Sequence, residues 1–230
     1  YSETGAKLDI KKVAELAYRH RKVLILDGVA LLGKELFTLP LGVQGMGFSS
    51  HKLHGPKGAG LVYLARGAEC RPLLVGGHQE KGLRAGTENL PAILGFVKAV
   101  EIAYSHLPQL TERLLFLREH FETSLAKLVP LVINGEGERV CNVSNLAFKG
   151  VEGETLLLAL DRASIYASLG SACASGALEP SRVLLNMSLS RERAKSSLRF
   201  SFSRYTTQEE VDEAVETIVG IIERLSSQGL

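Results

Sequence analysis

The 230-residue chain has no tryptophan, two methionines and three cysteines. Cysteines at 70, 141 and 173 are too few for a disulfide framework, so a reducing cytoplasm is the expected compartment. Neither a Cys-x-x-Cys pair nor a spaced histidine cluster is present, which argues against a closed zinc site. Excess charge is also lacking: 27 Lys and Arg stand against 25 Asp and Glu, interspersed, for a net +2. That balance offers no surface for nucleic acid or for an anionic membrane. No apolar run approaches the roughly 18 residues that span a bilayer. The chain opens at Tyr1 with no Met and no signal-like segment, so a piece of something longer is the expectation.

What is there reads as globular, with 45% hydrophobic and 23% charged residues, and is long enough for one large or two modest domains. "LDIKKVAELAYRH" has helical spacing, with Asp9 as its N-cap. "KVLILD" is a short apolar run of the kind buried on both faces of a sheet, and "GMGFSS" and "GAGLVYLA" read as two further strands. This pattern predicts an α/β fold with a mainly parallel sheet. Two long helices follow, opened by Pro91 and Pro108. Then come strands at "LVIN", "NVSNLAF" and "SIYAS", a helix at "GETLLLALDRA", a short helix through Leu185, a strand at "SSLRFSFS" and a last helix. The change of texture predicts a larger sheet domain over 1–105, only partly present, and a smaller α+β domain over 106–230.

"SSHKLHGPKGAG" sets Lys52 between small polar residues and a stiff glycine-proline turn. A lysine nucleophile must be held still in such a constrained place. Ser49, Ser50 and His51 can donate to a phosphate, while Gly55, Pro56 and Gly58 allow a close turn. Asp27 ends the apolar strand, where its charge needs a cationic partner. The protonated ring nitrogen of pyridoxal 5'-phosphate is such a partner, and a lysine holds that cofactor's aldehyde as a Schiff base. Taken singly, Asp27 reads better as a turn cap and Lys52 as a surface residue; together, in this order, they favour the cofactor.

Cys173 lies in "SLGSACASG", among small residues where a structural thiol is out of place, and a nucleophilic role is favoured. For Cys70 and Cys141 the ordinary buried role is favoured instead. Arg199, inside "SSLRFSFS", fits a structural ion pair and a bidentate hold on a substrate carboxylate about equally. Thr87, in "GLRAGTEN", is a weak phosphate-contact signal.

Together, "HGPKG", "GSACASGALEPS" and "SSLRFSFSRYTT" resemble the cysteine desulfurases, within the aminotransferase-like PLP fold, and the likeness runs from "SETG" to "RYTTQEEVDEAV". The resemblance implies the C-terminal portion of such an enzyme, which converts L-cysteine to L-alanine and passes sulfur to an acceptor or iron–sulfur scaffold protein. It assigns Lys52 to the Schiff base, Asp27 to the ring nitrogen, and Ser49 and His51 to the phosphate. Thr87 would reach the phosphate of a neighbouring subunit, which implies a homodimer. Cys173 would carry the persulfide and Arg199 would hold the substrate carboxylate. Two positions depart from the family. Ser2 stands where an asparagine is usual and Ala30 where a glutamine is usual, so two donors near the cofactor's phenolic oxygen are missing. The alternative is therefore a truncated or diverged desulfurase-like domain, without full activity, that acts as an interaction partner.

Overall fold

The computed structural model describes residues 1–170 and 180–227. Leu8–Leu107 form one compact unit, and Tyr1–Lys7 with Pro108–Leu230 form a second. The first seven residues thus pack with the second unit and not with the rest of 1–105.

In the first unit, α1 (Ile10–Arg19) starts where Asp9 Oδ1 accepts from the Lys12 amide at 3.0 Å. Its one buried residue, Ala14, lies against Gly42, where a Cβ would come within 2.3 Å of the Ala14 carbonyl oxygen. Gly42 also has φ +106, so only glycine fits there. The sheet runs β1 (Ile25–Asp27), β2 (Gly45–Ser49), β3 (Gly60–Leu64). The first pair is parallel and the second antiparallel, so the sheet is mixed where a mainly parallel one was expected. Residues 50–59 alone join β2 to β3, and a parallel return needs a crossover of about a dozen residues or more.

Met46 and Phe48 of β2 face the core of this unit, packed with Leu32, Leu53 and the Phe96, Ala99 and Ala103 stripe of α2 (Leu90–Ser105). Alternation along β2 then puts Gly45, Gly47 and Ser49 on the opposite face. The expectation that "KVLILD" is buried on both faces fails: Val23 and Ile25 are each 72% exposed, and Ile25 pairs with Gly45 on the sheet face opposite the Met46 and Phe48 core.

The second unit is built on an antiparallel sheet of β4 (Leu131–Ile133), β5 (Val143–Phe148) and β6 (Ser197–Ser201), with β5 central and buried at every position. Its core takes Leu114, Leu117, Phe121 and Leu125 from α3 (Leu107–Leu128) and Leu156 and Leu160 from α4 (Gly153–Arg162). Val211, Val215, Ile218 and Ile222 come from α7 (Gln208–Ser227). Phe121 packs on Phe200 and Phe202 at 5.0 and 5.5 Å between ring centroids. Each such side chain contributes about 1.5–3 kcal/mol on burial. Between them lie α5 (Arg182–Asn186) and α6 (Arg191–Lys195). "SIYAS" is not a strand: it makes a single bridge, Ser168 to Arg199.

One buried carboxylate in this unit is fully accounted for. Arg139 grips Glu122 with both Nη atoms at 2.6 and 2.8 Å, and Ser144 Oγ donates to the same group at 2.8 Å. That hydrogen-bonded grip raises the Arg139 pKa. Nearby Arg118 is pushed down by burial first and by the Arg139 charge second, and its Nη1 donates to the Val140 carbonyl.

Candidate functional site

The parallel pairing of β1 with β2 ends at the C-terminus of β1. Asp27 pairs with Gly47, and two residues later Ser49 leads into a 3₁₀ turn, Ser50–Leu53, that carries His51 and Lys52. The carboxylate and the lysine turn therefore both follow from the C-terminal end of one parallel pair, where open α/β sheets place their ligands.

Asp27 Oδ1 accepts from the Val29 amide at 2.9 Å, an Asx-type turn that fixes the side chain at the strand end. Its register partner Gly47 has nothing within 4 Å of where a Cβ would stand. Paired residues share a face, so Asp27 borders a stretch of sheet kept clear by glycine. At Gly28 the reverse holds: a Cβ would fall 2.4 Å from Phe48 Cε1, so glycine is required for the chain to pass over the core.

The lysine turn is tied down at Ser50. Its amide donates to the Ala59 carbonyl, and its carbonyl accepts from the Gly55 amide, each at 3.1 Å. His54 closes the turn in the left-handed region at φ 67. Ser50 itself is fully buried, with its Oγ lacking a hydrogen-bond partner among the described residues. A Cβ on Gly55 would lie 2.1 Å from that oxygen, so the hydroxyl faces the loop's interior. Ser50 is thus removed from the expected phosphate donors. Ser49 Oγ and His51 Nδ1 are hydrogen-bonded at 2.9 Å, and His51 and Lys52 are exposed.

Thr87 is exposed two residues before Asn89, the N-cap of α2, and no hydrogen bond joins it to Asp27, Ser49, His51 or Lys52 among the described residues. Arg199 belongs to the second unit. It lies on β6 opposite Asn145, its backbone is bridged to Ser168 at 2.8 and 3.1 Å, and its Nη1 donates to the Ser2 carbonyl at 3.2 Å. Cys173 lies outside the described residues. Cys141 is buried, whereas Cys70, expected to be buried too, is exposed. Ser2 and Ala30 are both exposed. A cavity of about 500 Å³ in the second unit, lined by Val132, Ala147, Lys149, Arg193 and Lys195 among others, contains none of the expected residues. No cluster of three potential metal ligands occurs among the described residues.

The Lys52 turn and the Asp27 carboxylate, beside a sheet face left clear at Gly47, both follow the C-terminal end of one parallel pair, the place where α/β proteins bind their ligands. The chain matches the aminotransferase class-V family over residues 1–214 and belongs to that family. Cysteine desulfurase from Klebsiella pneumoniae is 45% identical over 231 residues, which cover 97% of this chain and 57% of that protein. Cysteine desulfurase NifS from Azotobacter vinelandii is 40% identical over 227 residues, with 97% and 56% coverage. Among solved structures, a NifS-like protein superposes with a TM-score of 0.87 at 32% identity, covering 97% of this chain and 59% of its own. A NifS-like protein from Rickettsia africae gives 0.84 at 26% identity, with 96% and 59% coverage. The chain thus spans under three fifths of the length of these relatives. Enzymes of this family depend on pyridoxal 5'-phosphate. The residues present fit it: the space at Gly47 is one that any larger side chain would enter, and the Asp27 carboxylate borders it.

Sequence reasoning passed over Glu3, Gly170 and Ser181. Glu3 is 5% exposed, and its carboxylate accepts from Ser181 Oγ. The legible signal was an acidic residue in "SETG", a segment read only for its departure at Ser2.

Proposed function

We propose that the protein to which this chain belongs is a pyridoxal phosphate-dependent cysteine desulfurase that converts L-cysteine to L-alanine. The observation that carries the reading is the shared strand-end position of Asp27 and the Lys52 turn beside the clear face at Gly47. Lys52 Nζ would hold the cofactor's aldehyde, Asp27 would keep a proton on its ring nitrogen, and Ser49 and His51 would donate to its phosphate. When bound, the cofactor supplies an electron sink conjugated with the substrate's α-carbon. Arg199 binds the substrate carboxylate and orients the molecule. The Lys52 amine would also move protons at the substrate's α-carbon. The Cys173 thiolate attacks the substrate sulfur: an S–S bond forms and the C–S bond breaks. The C–S electron pair stays with carbon, which takes a proton to become the alanine methyl group. The sulfur left on Cys173 as a persulfide passes to an acceptor or scaffold protein for iron–sulfur cluster assembly.

We also propose a homodimer in a reducing cytoplasm. Exposed apolar Leu90, Leu94 and Val97 on α2, next to exposed Thr87, support a subunit surface there. The exposed free thiol of Cys70 supports a reducing compartment. At 40–45% identity to named desulfurases, the interaction-partner alternative is not favoured. The test is borohydride reduction of the cofactor-loaded full-length protein, followed by peptide mapping. A pyridoxyl group on Lys52 is expected, with none in Lys52→Ala; attachment at Lys57 or Lys81 would overturn the assignment.

A further inference from the structure

The mostly apolar strand β5 carries an amide in its middle. Asn145 is 1% exposed there, although asparagine is a poor strand former. Its Oδ1 accepts from Asn134 Nδ2 at 2.6 Å, and its Nδ2 donates to the Glu3 carbonyl at 3.0 Å. Asn134, fully buried, accepts on its own Oδ1 from Arg193 Nε at 2.7 Å, and its Nδ2 also donates to Ser197 Oγ at 2.8 Å. The direction of this chain is forced. Arginine has donors only, so Asn134 must turn its oxygen to Arg193 and its nitrogen to Asn145. Asn145 must then offer its oxygen to Asn134, which leaves its nitrogen for a carbonyl. A flip of either amide would set donor against donor or oxygen against oxygen.

Glu3 belongs to a strap, Tyr1–Lys7, that packs with the second unit. The far end of the strap is fixed separately: the Lys7 amide donates to the Glu138 carbonyl and the Val140 amide to the Gly5 carbonyl, each at 2.8 Å. One residue before Glu3, the Ser2 carbonyl accepts from Arg199 Nη1 at 3.2 Å. Asn145 and Arg199 are partners in the register of β5 and β6, so they share a face of the sheet. Two side chains of one face thus hold two successive carbonyls of the strap. The Glu3 carboxylate accepts from Ser181 Oγ, which holds that side chain and leaves the Glu3 carbonyl to Asn145.

We propose that Asn145 is a positioning residue: by gripping the Glu3 carbonyl it sets the neighbouring Ser2 carbonyl, and so the Arg199 guanidinium that takes the substrate carboxylate. The proposal deepens the desulfurase reading and rests on it for the role of Arg199. An arginine side chain has several rotatable bonds, and ordering them on binding weakens affinity. A guanidinium already bonded to a fixed Ser2 carbonyl has that cost reduced before the substrate arrives. With the Asn145 grip gone, Ser2 loses its fixed place and Arg199 its anchor. The effect falls on binding and not on the chemical step.

The test uses Asn145→Ala and Ser197→Ala in the full-length, cofactor-loaded protein. Ser197→Ala breaks a bond of the same network but not the grip on Glu3, so it reports loosening of the sheet alone. In Asn145→Ala, KM for L-cysteine should rise roughly 3–10-fold with kcat within about twofold, as loss of one hydrogen bond would give. The Kd of L-alanine, titrated on the cofactor's absorbance, should rise equally, while that of ethylamine, which lacks the carboxylate, should hold. Arg199 should react about threefold or more faster with phenylglyoxal, read by mass spectrometry against exposed Arg71. None of these shifts is expected in Ser197→Ala. If Asn145→Ala does not fold, Asn134→Ala, which frees the Asn145 amide to turn, is read the same way. An unchanged KM, a loss confined to kcat, an equal weakening of ethylamine or an equal shift in Ser197→Ala would overturn the proposal. If the unmutated protein neither turns over L-cysteine nor binds L-alanine, the desulfurase reading falls, and phenylglyoxal labelling of Arg199 decides the Asn145 anchor alone.

Discussion

Gly47 is the residue on which the cofactor reading can be separated from the fold. A side chain there enters empty space, so Gly47→Leu should keep stability within about 0.5 kcal/mol, a shift of roughly 1–2 °C in thermal midpoint. Pyridoxyl incorporation at Lys52 should fall by about tenfold or more, because the new side chain fills the face that Asp27 borders. Full incorporation would mean that the ligand lies elsewhere. Lys52 and Asp27 were legible in the sequence because strand-end charge and a glycine-proline turn are local features. Glu3 and Ser181 were not, because their bond joins positions 178 residues apart. Ser50 was misread for a related reason: a serine beside a lysine looks like a ligand donor until Gly55 shows the hydroxyl turned inward.

At the scale of elements, the loop from Ser50 to Ala59 depends on the close approach of Gly55. Gly55→Ala should cost about 1–3 kcal/mol, since the added methyl meets Ser50 Oγ at 2.1 Å and has Ala99 Cβ on its other side at 3.2 Å. Denaturant unfolding checks this, and a midpoint equal to that of the unmutated chain would refute it. The helices were legible because their apolar residues recur at helical spacing, Asp9 caps α1 as the sequence reads, and Pro91 stands in the first turn of α2, as expected of a helix opened by proline. Helix α6 was missed because "RERAK" offers only Ala194 to the core, and its start depends on a cap from Ser190 that a polar stretch does not advertise. The strand read into "SIYAS" came from its β-branched and aromatic residues, yet Tyr166 is 80% exposed and pairing stops at Ser168.

For the whole molecule, α2 is apolar nearly all round, as expected of a helix covered on more than one side. Its Ala92, Phe96, Ala99 and Ala103 face the first unit's core, while Leu90, Leu94 and Val97 remain exposed. On the proposed homodimer, Leu94→Lys should shift the full-length protein toward monomer by light scattering, raising the apparent dissociation constant by about tenfold or more, as loss of a well-packed apolar contact of about 1–3 kcal/mol would. A variant that stays dimeric at micromolar concentration would remove α2 from the subunit surface.

The path of the chain carries one more consequence, for the order in which the protein assembles during synthesis. Ser2 and Glu3 emerge from the ribosome ahead of Leu8–Leu107, but their partners Arg199 and Asn145 follow 197 and 142 residues later. At about 5–20 residues per second the strap waits on the order of ten seconds or more for the groups that satisfy it. Leu8–Leu107 are complete in the meantime and can collapse around Met46, Phe48 and Phe96. Residues made before the first unit are thus placed after it, and the buried carboxylate of Glu3 stays in water until Ser181 has been synthesised.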